Sequence, residues 1–349
     1  MLLWKKLTLM KMINLGSFIT SLNNKQLLKT LIKILFSISC LFLLFYFGKI
    51  DVNKLLFSIK TLKLLWFLLA ILVASFVFII CSLRWKLLLE INNKLLKLSA
   101  LIKYYFIGAF FNSFLPSTVG GDIVRVYYLS KNNINKKIGL SSVMVERLLG
   151  ISALILLSSL SLLVQIIFYQ DINAKLIRYI LISFFLFVFL WICFFKLNKM
   201  ITLSKKVFSL LPKNLNIRFQ NFIKALELFS KSRACLLKGF IISFIAHFFS
   251  IISVYFLAFS LGIKLDFIYF MIIVPLIAII SMIPLSISGL GIRESSYVFF
   301  FVPLGIPAYK AVSLSLLIYL RNIFLGVIGA IFYSFSEVKF VKKYPTLQE

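Results

Sequence analysis

The chain is 349 residues long and 62% hydrophobic, with a mean hydropathy of +1.04. That leaves too little polar residue to cover an ordinary soluble domain, so the sequence belongs in a bilayer. The formal net charge of +29 comes from 39 basic against 10 acidic residues; the basic residues are spread over loops between apolar runs, which argues against nucleic acid as a partner.

Residues 1–30 carry short apolar runs broken by Lys5, Lys6, Lys11 and Lys25 and show no small-residue cleavage site. They read as a retained basic cytoplasmic segment. About 20 apolar residues cross a hydrocarbon core, and six segments meet that length: 31–48, 64–83, 139–168, 177–195, 239–262 and 309–335. Two further apolar regions, 104–130 and 267–305, are interrupted by Pro and Gly, leaving flanks of mostly 10 to 17 residues. Flanks that short suit half-helices, so both regions read as re-entrant hairpins. Residues 336–349 read as a cytoplasmic tail. Cys40, Cys81, Cys193 and Cys235 lack CxxC or metal-ligand spacing and are expected as buried apolar side chains. No metal and no cofactor are expected.

With the N-terminus inside, the inner segments hold 27 basic residues and the outer ones 8. This bias places both termini in the cytoplasm of a cell-membrane protein. The loop 196–238 anchors it, while Lys49, Lys54, Lys60 and Lys63 run against it. The first half, 31–168, reads span, span, hairpin from the inside, span; the second, 177–335, reads span, span, hairpin from the outside, span. The predicted fold is an all-α polytopic membrane protein, six full spans plus two re-entrant helical hairpins as an inverted 3+3 repeat, in one transmembrane domain over 31–335.

The hairpins carry the same punctuation, 168 residues apart. Pro116-Ser-Thr-Val-Gly120-Gly121-Asp122-Ile-Val-Arg125 and Pro284-Leu-Ser-Ile-Ser-Gly289-Leu-Gly291-Ile-Arg293 both read Pro, four residues, Gly, three residues, Arg. Four basic residues remain at membrane depth once the loops are counted: Arg125, Arg147, Arg293 and Arg321. All are arginine in a chain with 31 Lys and 8 Arg, and a planar guanidinium grips phosphate or carboxylate with paired hydrogen bonds. Asp122, Glu146 and Glu294 share that depth, leaving an excess of one positive charge. A helix is expected to start near Asp122 after Gly120 and Gly121, and another near Arg293 after Gly291. Their free N–H groups would face one another at the midplane as a phosphate cradle. Glu146-Arg147 lies about 12 Å into its span and Arg321-Asn322 near the centre of the last one.

Plainer roles stand beside these. Asp122 caps its helix; Glu146-Arg147 and Arg293-Glu294 are structural ion pairs; the glycines serve helix packing. Arg84-Trp85 reads as an interfacial anchor at the end of its span. His247, alone within a span, reads as a packed residue rather than a proton relay.

Asn112-Ser-Phe-Leu-Pro116 through Arg125-Val-Tyr-Tyr-Leu, then Val145-Glu-Arg-Leu-Leu-Gly150, then Ile283-Pro through Arg293-Glu294 resemble, in order and spacing, the transmembrane domain of the lysylphosphatidylglycerol synthase/flippase family. The similarity runs from about residue 30 to 335. It implies a multi-pass bacterial or archaeal membrane protein whose relatives handle phospholipid, aminoacylated phospholipid or polyprenyl-phosphate-linked molecules. Larger members add a soluble domain that transfers the aminoacyl group. This chain ends at Glu349, fourteen residues after the last span, so that domain is expected to be missing and the chain is expected to be a transporter, not an enzyme. Relatives often carry Glu where Asp122 stands.

The resulting expectation is a lipid flippase, its head-group site lined by Asn112, Pro116, Gly120, Gly121, Asp122, Arg125, Glu146, Arg147, Pro284, Gly289, Gly291, Arg293, Glu294, Arg321 and Asn322. No GxxxxGK[ST] loop is present, so movement is downhill, ion-coupled or driven by synthesis on one side. Two alternatives stay open: an accessory subunit working with a lipid-modifying enzyme as partner, and an integral-membrane transferase with Asp122 or Glu146 as general base. Oligomeric state is not legible.

Overall fold

The structure, a computed structural model, describes residues 50–91, 96–114, 120–169, 232–282 and 289–343, with isolated positions elsewhere. Every regular element among them is helical: α1 (Val52–Lys60), α2 (Leu64–Glu90), α3 (Leu98–Phe114), α4 (Gly120–Lys131), α5 (Lys136–Tyr169), α6 (Arg233–Ser260), α7 (Phe267–Ser281), α8 (Ile292–Phe301) and α9 (Ala308–Lys343), with a 3-10 turn at Val302–Leu304. Four are long and apolar enough to cross a membrane: α2, α5, α6 and α9. They fall on four of the six expected spans; 31–48 and 177–195 lie outside the described residues apart from isolated positions.

Element ends depart from the expected ones for identifiable reasons. α2 continues seven residues past 83 because Arg84 and Lys86 stand within a run whose other members are apolar or helix-favouring. α9 runs to Lys343, into the stretch expected as a tail. α1 was not expected at all. It starts where Asp51 Oδ1 accepts from the N–H groups of Asn53 and Lys54 at 2.9 and 3.2 Å, an N-cap in a nine-residue amphipathic turn. Ser58 Oγ on this helix lies 2.7 Å from Ser313 Oγ of α9, pinning it to the bundle.

α2 and α6 form the central pair. Lys63 N–H donates to Ser260 O at 2.9 Å, Ser253 Oγ to Ala70 O at 2.7 Å, and Arg84 Nη1 to Ser243 Oγ at 2.7 Å. One index rises as the other falls, so the helices are antiparallel. α9 packs along α3 and α5 along α7. Phe67, Ile251, Leu257, Phe270 and Phe301 meet in the largest apolar core, while Leu65, Leu68, Leu72, Phe76, Ile79 and Leu83 make an exposed stripe at i, i+3, i+4 spacing down α2. An exposed apolar stripe that long is what a lipid-facing helix presents.

α3 with α4, and α7 with α8, are antiparallel pairs. Tyr104 stacks on Tyr128 at 5.0 Å while Gly108 abuts Gly121; Phe270 meets Phe301 at 5.4 Å while Ser281 lies beside Gly289. The connecting segments 115–119 and 283–288, with Pro116 and Pro284, lie outside the described residues.

Glycine sets the closest approach in the bundle. A Cβ on Gly329 of α9 would overlap the carbonyl oxygen of Phe106 on α3, and backbone cannot step aside as a side-chain end does. Gly329→Ala is expected to lower stability by about 1–3 kcal/mol, the usual cost of overpacking. Val327→Ala, at a lipid-facing position, should melt with the parent in detergent. Equal melting of Gly329→Ala and the parent would show that the α3–α9 contact is not tight.

Candidate functional site

The first cluster grows from the contact between Gly108 and Gly121. A Cβ on Gly121 would overlap the Gly108 carbonyl oxygen and crowd the Asn112 amide, so glycine is required where α4 begins. Asn112 Oδ1 accepts from Gly121 N–H at 2.7 Å and caps the helix. Gly120, Gly121, Asp122 and Arg125 are all buried in the first turns that follow. The Arg125 guanidinium lies in the corner formed by two rings set nearly at right angles, 3.7 Å from Tyr105 and 4.1 Å from Trp85. Its Nη1 donates to Asp122 Oδ1 at 3.2 Å and its Nη2 to Glu146 Oε2 at 2.7 Å.

Glu146, on α5, is 3% exposed and takes a second guanidinium on its other oxygen: Arg84 Nη2 donates to Oε1 at 2.6 Å. Asp122 likewise takes a second, with Arg147 Nε and Nη2 reaching Oδ2 at 2.9 and 2.6 Å. Arg84, Glu146, Arg125, Asp122 and Arg147 therefore form a ladder of alternating sign, each carboxylate between two arginines. Its ends differ. Arg84 is buried and tied to Ser243 of α6, whereas the Arg147 side chain is 39% exposed.

Arg84-Trp85 is not an interfacial anchor. Trp85 is fully buried and its indole N–H donates to Ser142 Oγ at 3.0 Å, and Arg84 is 7% exposed. The loop count hid Arg84 because the helix outruns the span drawn from hydropathy. The usable signal was its identity: it is one of few arginines in a lysine-dominated chain, the contrast that had singled out the other four. His247 sits one turn beyond Ser243, against Gly150, where a Cβ would come within 3.2 Å of its Nε2. It is a close-packed side chain.

The second cluster lies where α8 begins. Gly289 and Gly291 have φ of 79° and 85°, a region open to glycine. The Gly291 N–H donates to Glu294 Oε2 at 2.6 Å, folding that side chain back onto its own helix start. Glu294 Oε1 accepts from Ser315 Oγ at 2.9 Å and from Arg293 Nη2 at 3.0 Å, while Arg293 Nε donates to Ser315 Oγ at 2.9 Å. Arg321 is held otherwise. Its Nη1 donates to Ser253 Oγ at 2.8 Å and its Nη2 to Asn322 Oδ1 at 3.1 Å; both oxygens are neutral, and the residue is 8% exposed.

The expected site residues thus fall into two groups instead of one cradle. Asn112, Gly120, Gly121, Asp122, Arg125, Glu146 and Arg147 meet in the first; Gly289, Gly291, Arg293 and Glu294 meet in the second, with Arg321 and Asn322 alongside. Ser243 and Ser253 touch the two groups from one helix, ten residues apart, which is about 15 Å along the axis. One N–H at each helix start is taken within the protein: Asn112 accepts that of Gly121 and Glu294 that of Gly291.

An all-helical chain with membrane-length helices and arginine–carboxylate clusters buried among them is a multi-pass membrane protein with a charged interior. The chain belongs to the family described as lysylphosphatidylglycerol synthase TM region, whose profile matches residues 30–329. It is similar to the UPF0104 membrane protein MJ1078 of Methanocaldococcus jannaschii, 28% identical over 236 residues, covering 67% of this chain and 97% of that protein. It is also similar to the UPF0104 membrane protein MJ1595 of the same organism, 28% identical over 170 residues, covering 48% of this chain and 47% of that protein. No solved structure matches the chain.

Glu146→Gln would leave buried Arg84 with no carboxylate and Arg125 with Asp122 alone, and is expected to cost about 3–5 kcal/mol of stability. Ser243→Ala, which removes one hydrogen bond to a charged group, should cost about 1.5–3 kcal/mol. Unfolding in detergent checks the order; a Glu146→Gln protein as stable as the parent would mean the ladder does not hold the helices together.

Proposed function

We propose that the chain moves membrane lipids between leaflets, holding a phosphate-bearing head group against its buried guanidinium groups. Support comes first from charge. Arg84, Arg125, Arg147, Arg293 and Arg321 stand against Asp122, Glu146 and Glu294, so inclusion of Arg84 raises the excess of positive charge in the two clusters from one to two. A cation at membrane depth costs roughly 2.5–3.5 kcal/mol on insertion scales, and a bound phosphate offsets that cost. Arg321 is the observation that carries the reading: a buried guanidinium in a membrane-length helix whose hydrogen-bond acceptors are neutral. Its planar fork suits two phosphate oxygens.

In this reading Asp122, Glu146 and Glu294 orient the arginines, and the lipid is a phospholipid, an aminoacylated phospholipid or a polyprenyl-phosphate-linked molecule. The chain acts as a transporter, not an enzyme, and a lipid-modifying enzyme is a natural partner. The architecture we infer is six spans and two re-entrant hairpins in an inverted 3+3 repeat, with cytoplasmic termini in the cell membrane. Several features favour it. The α2–α6 pair is antiparallel, as a repeat inverted about an axis in the membrane plane requires. Packing of α9 on α3 has a counterpart in α5 on α7, and α4 on α5 in α8 on α9. The hairpin helices, 10 to 17 residues long, reach only about 15–25 Å of a core roughly 30 Å thick. Rocking of one repeat against the other would expose the site to each leaflet in turn.

The test is crossing of acyl-labelled phosphatidylglycerol in proteoliposomes, read with a quencher that does not cross the bilayer. Loss of one charged hydrogen-bonding group predicts crossing at least about tenfold slower for Arg321→Ala. Phe299→Ala, on the lipid-facing side of α8, should retain the parent rate. Crossing no faster than in protein-free vesicles, or unchanged by Arg321→Ala, would remove the reading.

A further inference from the structure

The hairpin α3–α4 ends, opposite its tip, in a lysine-rich surface: Lys97, Lys103, Lys131, Lys136 and Lys137 are all exposed there. Lysines at the end of a membrane bundle ordinarily report topology and little else. Lys131 differs because it is held in place. Its Nζ lies 4.8 Å from the ring centroid of Tyr127 and 5.5 Å from that of Tyr128. Tyr128 stacks on Tyr104 at 5.0 Å, and the Asn132 amide ties the stack by donating to Tyr104 Oη and to Tyr128 O, both at 2.8 Å. Tyr127 is 51% exposed, so the cluster opens to its surroundings. A long, strongly hydrated side chain loses entropy when fixed over rings; what it gains is a preorganised ammonium beside hydroxyl and amide groups.

The cluster also shares α4 with the charge ladder. Lys131, Tyr128, Arg125 and Asp122 lie at successive depths of this helix, in steps of about 4.5 Å along the axis and about 60° around it, and Tyr104 and Tyr105 of α3 lie against Tyr128 and Arg125. Cation, ring, cation and acid therefore follow one another from the helix end to the buried arginines.

We infer that the Lys131–Tyr127–Asn132 cluster is a docking site for an anionic phospholipid head group from the leaflet at this end, from which lipid passes toward Arg125 and Arg147. The ammonium takes the phosphate oxygens, the Asn132 amide holds the tyrosine stack beside it, and the tyrosine rings lie at the depth where aromatic side chains settle against head groups. Juxtamembrane lysines attract anionic lipid by about 1 kcal/mol each, and an ordered one acts at a defined place. The loading role rests on the transport reading; the docking site does not.

The test uses the full chain drawn into detergent from vesicles of phosphatidylglycerol and phosphatidylcholine with matched acyl chains, and counts each lipid retained in the native mass spectrum. The expected result is enrichment of phosphatidylglycerol, about fivefold weaker in Lys131→Gln, retained in Lys131→Arg and unchanged in Lys63→Gln at the opposite end. Tyr104→Phe, which removes one tie of the stack beside Lys131, should weaken it as well. Enrichment equal in Lys131→Gln and the parent, or lost equally in Lys63→Gln, overturns the proposal. Enrichment that persists in Arg321→Ala while crossing slows separates docking from transport; enrichment lost in Arg321→Ala and kept in Lys131→Gln overturns the docking site alone.

Discussion

One carboxylate holds the first half of the bundle together. Glu146 accepts from Arg84 on one oxygen and from Arg125 on the other, at 2.6 and 2.7 Å, and so joins α2, α5 and α4 at a point closed to solvent. In lipid there is no hydrophobic gain from bringing helices together, since acyl chains are as apolar as the side chains they would be exchanged for. Polar bonds and close packing must do it. The hairpin α3–α4, whose helices are short, depends on this junction to stay among the longer helices.

Close packing supplies the second half of the answer. Gly121 against Gly108 and Gly329 against Phe106 let backbones touch where any side chain would separate them. Serine serves the same end at slightly greater spacing. Ser141, Ser159, Ser161 and Ser243 each donate to the carbonyl four residues earlier in their own helix, at 2.6 to 2.7 Å, which satisfies the hydroxyl proton within the helix. Ser243 then turns its oxygen's remaining capacity to Arg84, and Ser253 accepts from Arg321 while donating to Ala70. Small polar residues thus serve as spacers and as neutral acceptors for buried guanidinium groups.

These features decide what the sequence could reveal. Apolar length located α2, α5, α6 and α9 because crossing lipid requires it, and the glycines located the starts of α4 and α8 because those turns need them. The helix α1 escaped notice, being nine residues of mixed polarity fixed by one Asp51 cap and a serine contact. Facing was illegible as well. α2 is apolar all round, and nothing in its composition separates the lipid-facing Leu68 and Leu72 from the buried Phe67 and Ala70. Grouping of the arginines failed for a related reason: spacing in the chain fixes depth only along one helix, and which arginines share a depth follows from how α2 and α6 are set against each other.

The preference for arginine at these depths follows from the ladder itself. Arg125 faces two carboxylates in different directions, Asp122 and Glu146, and packs against two aromatic rings, Trp85 and Tyr105, that meet edge to face. A guanidinium meets all four demands at once because its donors lie in the plane and its faces are free to stack. An ammonium is a compact point charge with a tightly held water shell; it has no faces, and without that shell between Trp85 and Tyr105 it would be poorly compensated. The same geometry makes Arg125 poorly available for a ligand, since both Nη atoms are held by carboxylates. In the transport reading proposed above, ligand chemistry falls to Arg147 at the exposed end of the ladder and to Arg321, whose neutral acceptors yield to an anion at a smaller cost than a carboxylate would.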